Sequence, residues 1–264
     1  MKQKEAREKF NKILQEIKEI KIQGATNIAK AALKAYSLQP TKKAKEKLIN
    51  ARPTEPLMFK VLDLYNKIPT KKILEHFSEV QEKINKHILR LIKNNAIIYT
   101  HCHSNTVTKA LIYAKKKGKK FSIYNTETRP LYQGRKTARE LAKAKIKVFH
   151  LVDSAMSLAI KKADLIFLGA DALLKDGIIN KVGSNAIAKI SFLEKKPLYI
   201  IADSWKFADK IKIEERNPAE IWKNPPRGIK IRNPAFEFVP KKYIKKIISE
   251  LGILDYNKFI KNIS

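Results

Sequence analysis

The chain has 264 residues, 44% of them apolar, with 56 Lys and Arg against 25 Asp and Glu for a formal charge of +31. That length suits a helical domain plus an α/β domain, and the apolar fraction excludes wholesale disorder. No run approaches the 18 apolar residues of a membrane span, and the charged start MKQKEAREKF lacks the apolar region of a secretory signal, so a cytoplasmic protein with no membrane partner is expected.

Residues 1–93 read as a helical domain. Apolar residues recur at helical spacing over 4–23 (Ile13, Ile17, Ile20) and 73–93 (Ile84, Ile88, Leu91), and the Ala-rich stretch 24–36 reads as a further helix. Pro53 and Pro56 interrupt any helix across 51–59. The rhythm then changes, which sets off a second domain over 94–264. Apolar runs at 96–101, 121–125, 147–153, 164–171 and 198–203 alternate with helical stretches near 104–117, 133–144, 154–162, 182–195 and 241–251. Short apolar runs separated by helices read as buried parallel strands. The expected fold class is α/β: an N-terminal helical domain followed by a Rossmann-like, doubly wound, mainly parallel sheet.

Ligands of such sheets bind beyond the carboxyl ends of the strands. Here those ends carry Thr100-His101-Cys102, Asn125-Thr126-Glu127, Asp153-Ser154, Gly169-Ala170-Asp171 and Asp203-Ser204. Cys102 is the single cysteine, so it forms no internal disulfide and is either a small packing residue or a reactive thiol. Beside a helix start in a cationic protein its pKa should be lowered. Asp171 follows an apolar run, so partial desolvation should raise its pKa and suit it to general acid work; a helix or turn cap is the plainer alternative. Arg129 could grip a phosphate as a fork or merely pair with Glu127. Asn180, Lys181 and Gly183 precede a helix, an arrangement that can hold phosphate. One cysteine and histidines at 76, 87 and 150 give no metal-ligand spacing, so no metal is expected. The charge is dispersed, and KKKGKK (115–120) and KKYIKK (241–246) are short runs that read as solvated helix faces or ends. It favours anionic ligands and, at most, nonspecific nucleic-acid binding.

Taken in order, THCHS (100–104), ETRPLYQGRKTAREL (127–141), VDSA (152–155), GADA (169–172), DGIINKVGS (176–184), DSWKF (203–207) and RNPAFEFVP (232–240) resemble the superfamily that joins aldose-phosphate isomerases to the regulatory subunits of translation initiation factor 2B. QGATNIAKAA (23–32) and ARPT (51–54) extend the resemblance thinly into the N-terminal half. Regulatory subunits typically lack the Cys and Asp present here as Cys102 and Asp171. Within the superfamily THCHS is more similar to the ribose 1,5-bisphosphate isomerases than to the methylthioribose 1-phosphate isomerases. The resemblance implies conversion of ribose 1,5-bisphosphate to ribulose 1,5-bisphosphate in nucleoside-phosphate salvage. Asp171 would donate the ring proton and Cys102 would accept one from the C2 side. Substrate ligands would be Gln23, Gly24, Ala25, Thr26, Arg52, Ser104, Asn105, Thr106, Asn180, Lys181 and Lys206. It further implies no cofactor, because the reaction is internally redox-neutral, and a homo-oligomer of at least two chains. A non-catalytic regulatory subunit is the alternative from another class. Gln23-Gly24-Ala25-Thr26 departs from the Arg-Gly-Ala-Gly usual in the bisphosphate isomerases, so Lys21 or Lys30 is expected to restore the missing charge.

Overall fold

The structure, a computed structural model, describes residues 2–263, with Lys2 by its backbone alone. The N-terminal layer is helical: α1 (Lys2–Lys18), α2 (Ala25–Leu38), α3 (Lys42–Ala51), α4 (Pro56–Leu64) and α5 (Thr70–Leu91). The two prolines act as expected. Pro56 opens α4, where its missing N–H would have had no helical acceptor anyway. Phe10, Ile17, Ile28, Leu33, Leu48, Met58 and Val61 bury one face of each of the first four helices in a common core. The apolar stripe of α5 is long enough to serve two cores. Ile73 and Phe77 join the helical cluster, whereas Val80, Ile84 and Ile88 pack into the cluster beside the sheet.

The strands are β1 (Ala96–Thr100), β2 (Phe121–Thr126), β3 (Lys147–Leu151), β4 (Leu165–Leu168), β5 (Ala172–Leu174), β6 (Gly177–Lys181), β7 (Leu198–Ile201), β8 (Phe236–Pro240), β9 (Lys246–Ser249) and β10 (Gly252–Leu254). The helices between and after them are α6 (Asn105–Lys116), α7 (Gln133–Lys143), α8 (Met156–Lys162), α9 (Ser184–Leu193) and α10 (Tyr256–Lys261). Seven strands form one sheet in the order β10-β9-β7-β4-β1-β2-β3, parallel except for β10 at its edge. From β1 the chain winds outward through β2 to β3; β4 then returns to the other side of β1 and the winding continues through β7 to β9. The switch point lies between β1 and β4, where Thr100 pairs with Phe167. Diverging connections open a crevice there, and the residues that follow these two strands are His101-Cys102 and Gly169-Ala170-Asp171. A small antiparallel sheet, β5-β6-β8, stands beside that crevice.

The expected helix over 241–251 is absent. Lys241–Tyr243 is a 3-10 turn, and Lys246–Ser249 runs parallel to β7. Ile244, Ile247, Ile248 and Leu251 have helical spacing, but pairing with an open sheet edge buries Ile247 and Ile248 completely, and tertiary pairing overrides local pattern.

Candidate active site

A cavity of about 80 Å³ opens at the switch point. Cys102 enters it through an unusual backbone. Its φ is +63°, a left-handed conformation that few residues other than glycine adopt. Two threonines hold it there: Cys102 N–H donates to Thr128 Oγ1 at 3.1 Å, and its carbonyl accepts from Thr137 Oγ1 at 2.8 Å. The turn separates the neighbours. His101 is buried, and its Nε2 donates to the Val182 carbonyl at 3.0 Å while Nδ1 accepts from Thr126 Oγ1 at 3.2 Å, which fixes a neutral tautomer. Burial lowers its pKa accordingly.

The expected low thiol pKa is not found. α6 begins only at Asn105, with Ser104 as its cap, so Cys102 is not on the helix terminus. Burial pushes the thiol up to about 11, against the smaller opposing pull of Lys181. Asp171 behaves as expected: burial raises its carboxyl above the usual carboxylate range, although Lys206, Arg52 and Arg216 oppose the rise. Its backbone N–H is tied to the Ile179 carbonyl at 2.9 Å. With the Asn180 amide turned so that its nitrogen meets acceptors, that nitrogen donates to Asp171 Oδ2 at 3.3 Å and to the Gly169 carbonyl at 3.2 Å.

The remaining expected ligands converge from separate elements. Asn180 and Lys181 end β6, and Lys181 is held opposite Phe236 of β8. Ser104, Asn105 and Thr106 open α6, and Gln23, Gly24, Ala25 and Thr26 approach from the start of α2. Gly24 has φ +85°, a left-handed backbone that favours glycine, and a Cβ there would press on the Asn105 side-chain amide at 2.8 Å. Arg52 and Lys206 complete the lining, and Lys206 Nζ donates to the Ala170 carbonyl at 2.5 Å.

Arg129 does not reach the cavity. Its backbone N–H is bound by Asp153 Oδ2 at 2.7 Å, and its guanidinium lies over Tyr132 at the exposed surface. Glu127 pairs with Arg135 instead, at 2.9 Å. From the same crossover it is Gln133 that lines the cavity. Asp153 and Asp203 are structural: the latter accepts from Trp205 N–H at 2.9 Å and bonds His76 at 3.0 Å, pinning α5 to the end of β7. Neither Lys21 nor Lys30 supplies charge to the cavity. Lys21 pairs with Glu19 at 2.6 Å, and Lys30 sits over the Phe77 ring.

Two charged residues that line the cavity carry no signal in the sequence, Glu55 and Arg216. Glu55 is 2% exposed and accepts from Arg52 Nη2 at 2.9 Å. Burial and the nearby Asp171 push its carboxyl up to about 8, beyond the opposing influence of Arg52. The cavity therefore combines four cationic side chains, Arg52, Lys181, Lys206 and Arg216, with two carboxyls biased toward their neutral forms. That balance suits an anion, and the acid–thiol pair beside it suits proton transfer.

A family model described as the Initiation factor 2 subunit family matches residues 3–256. A Methanocaldococcus jannaschii protein named ribose 1,5-bisphosphate isomerase is 35% identical over 275 residues, covering 91% of this chain and 89% of that protein. An Archaeoglobus fulgidus protein of the same name is 30% identical over 277 residues, covering 91% and 88%. A solved structure described as the Pyrococcus horikoshii OT3 translation initiation factor eIF-2B superposes with a TM-score of 0.82 at 28% identity, covering 93% of this chain and 96% of that one.

Proposed function

The chain belongs to the Initiation factor 2 subunit family, and on that premise we propose that it is an aldose–ketose isomerase converting ribose 1,5-bisphosphate to ribulose 1,5-bisphosphate. The observation that carries this reading is that Cys102 and Asp171, from the two strands that flank the switch point, face one cavity whose other charged side chains are mostly cations.

The substrate is a closed furanose with phosphate on its anomeric oxygen. Asp171, whose carboxyl burial biases toward the protonated form, gives its proton to the ring oxygen as the C1–O4 bond breaks, which leaves positive charge shared between C1 and the bridging oxygen. Cys102 takes a proton from the C2 side. In a hydride route that proton comes from the C2 hydroxyl while the C2 hydrogen moves to C1 with its electron pair. In an enol route it is the C2 proton itself; the enol then takes a proton at C1 while the C2 hydroxyl gives its proton to the carboxylate left on Asp171, which restores the acid. Both end in a C2 ketone and a C1 methylene without an external electron acceptor. Burial keeps the resting thiol of Cys102 protonated, so it first releases its proton to solvent, a step that the positive charge created at C1 favours, and the thiolate is the base.

The second reading is a non-catalytic regulatory subunit. The formal charge of +31 and the structural likeness to a protein described as an initiation factor favour it, whereas the paired Cys102 and Asp171 have no role in it. On the isomerase reading the protein is cytoplasmic and at least dimeric, and its dispersed lysines bind nucleic acid without sequence preference. The exposed Phe192 and Leu193 on α9 fit a contact between copies. Among the described residues no helix is long and apolar enough to cross a membrane. The test is incubation with ribose 1,5-bisphosphate, 5-deoxyribose 1-phosphate and methylthioribose 1-phosphate, scored by ketose formation. Turnover of the bisphosphate ahead of the monophosphates supports the first reading; no turnover of any of them supports the second.

A further inference from the structure

The charged cluster behind Asp171 holds more than the reaction described above uses. Arg52 is 4% exposed, and the side chain of Arg216 is 8% exposed. They come from distant parts of the chain: Arg52 lies between α3 and α4, and Arg216 lies in the long connection between β7 and β8. One carboxylate joins them. Glu214 Oε1 accepts from Arg216 Nε at 3.0 Å, and Glu214 Oε2 lies 3.3 Å from Arg52 Nε. Thr54 clasps the two segments together, since its hydroxyl donates to the Lys212 carbonyl at 2.8 Å and accepts from Glu214 N–H at 3.2 Å. Arg216 N–H is in turn bound to the Asn233 carbonyl at 2.9 Å, and its guanidinium lies 5.6 Å from the centre of the Phe236 ring.

Hydrogen bonds hold Arg52 through Nη2 to Glu55 and Arg216 through Nε to Glu214, whereas Arg52 Nε meets Glu214 as an ion pair without a hydrogen bond. Nη1 of Arg52 and Nη1 of Arg216 are both buried and have no hydrogen-bond partner among the described residues. An orphaned cationic donor in a buried site costs free energy that folding alone gives no reason to retain. Both side chains line the cavity. Two planar forks set around one carboxylate, each with a spare nitrogen, match the oxygens of a phosphate group.

We propose that Arg216 is a substrate-binding residue that forms, with Arg52, a two-guanidinium clamp for a phosphate group of the substrate, and that Glu214 positions both arginines. This rests on the isomerase reading for the identity of the substrate, but anion binding by the clamp is independent of turnover. The clamp supplies the cationic grip at a cavity whose α2 approach offers only the neutral Gln23, and it explains why Lys21 and Lys30 are free to point elsewhere.

The experiment compares the full-length wild type with Arg216→Gln, Arg216→Lys and Glu214→Gln. Binding of inorganic phosphate and of pyrophosphate is read from the ligand-dependent rise in unfolding temperature, which reports affinity through mass action. Turnover of ribose 1,5-bisphosphate is measured in parallel. Arg216→Gln is expected to weaken phosphate binding at least tenfold and to raise KM at least tenfold while kcat falls less than threefold. Arg216→Lys, which keeps the charge but loses the fork, should fall between, and Glu214→Gln should raise KM with little effect on kcat. A wild-type protein that gains no stability from phosphate or pyrophosphate overturns the proposal. So does an Arg216→Gln protein that keeps the wild-type unfolding temperature and binds phosphate as tightly as the wild type. Should Arg216→Gln fail to fold, Arg216→Lys decides alone: unchanged affinity and KM refute the clamp. Arg216-dependent phosphate binding without any turnover leaves the clamp standing and removes the isomerase reading.

Discussion

Glu55 gives a test in which the structure sets both sign and size. Its carboxyl is buried among Arg52, Asp171, Lys206 and Glu214, and its pKa rises from an ordinary 4.5 to about 8. Between those values the native state holds a proton that the unfolded chain has released, so stability falls as pH rises. The contribution is intact below about pH 4.5 and lost as pH passes through about 8. Each pH unit crossed removes up to about 1.4 kcal/mol, which puts the ceiling on the order of 5 kcal/mol. The realised value is smaller because Asp171 titrates under the same influences and shares the effect. Glu55→Gln keeps the shape of the side chain, and its amide oxygen still accepts from Arg52 Nη2. Its nitrogen replaces Glu55 Oε2, which has no partner now. The assay is urea unfolding of both proteins from pH 5 to pH 9. Near pH 5 the two should agree within about 1 kcal/mol, while at pH 9 the variant should be the more stable by up to several kcal/mol. Histidines 101 and 103, whose pKa values burial lowers, act in the opposite direction but equally in both proteins, so they cancel in the difference. A difference that does not change with pH would refute the burial argument for Glu55.

Three further outcomes follow from the same geometry. Cys102→Ser and Asp171→Asn should each lower turnover by about 10²–10⁴-fold without changing the unfolding temperature by more than a few degrees, as measured by steady-state kinetics and calorimetry; near-wild-type turnover in either would break the acid–base pair. With its pKa near 11, Cys102 should be alkylated by iodoacetamide about tenfold faster for each pH unit between 7 and 9, with no plateau below pH 10; a plateau near neutrality would show a preformed thiolate. Arg129→Ala should leave KM unchanged, because the guanidinium lies over Tyr132 outside the cavity, and a tenfold rise in KM would return it to the site.

The sequence was most readable where burial imposes a simple pattern. The five apolar runs that were read as strands are β1, β2, β3, β4 and β7, and the polar residues at the ends of β1 and β4 meet at the switch point, because a doubly wound sheet leaves one crevice there. Residues 241–251 misled because Ile244, Ile247, Ile248 and Leu251 fit a helix as well as a strand, and only the open edge of β7 decided between them. The thiol of Cys102 departs from the sequence expectation for a local reason: two threonines hold it in a left-handed turn before the helix begins, and burial then outweighs the cationic surroundings. Arg129 looked like a ligand because arginine near a helix start often is one, yet the turn presents Gln133 to the cavity instead. Glu55 and Arg216 carried no periodic signal. They enter the site through the clasp between Thr54 and residues 212–214, a contact between segments far apart in the chain.

The measurement that bears most directly on the central claim is a carbon-13 spectrum of ribose 1,5-bisphosphate, labelled at C2, incubated with the wild type and with Asp171→Asn at equal concentration. The account predicts that the labelled carbon moves from a hydroxyl-bearing to a ketone environment with the wild type within minutes, and that the variant converts it at least a hundredfold more slowly, as loss of a general acid requires. No ketone signal with a wild-type protein that binds the bisphosphate, or equal conversion by the two proteins, would contradict it.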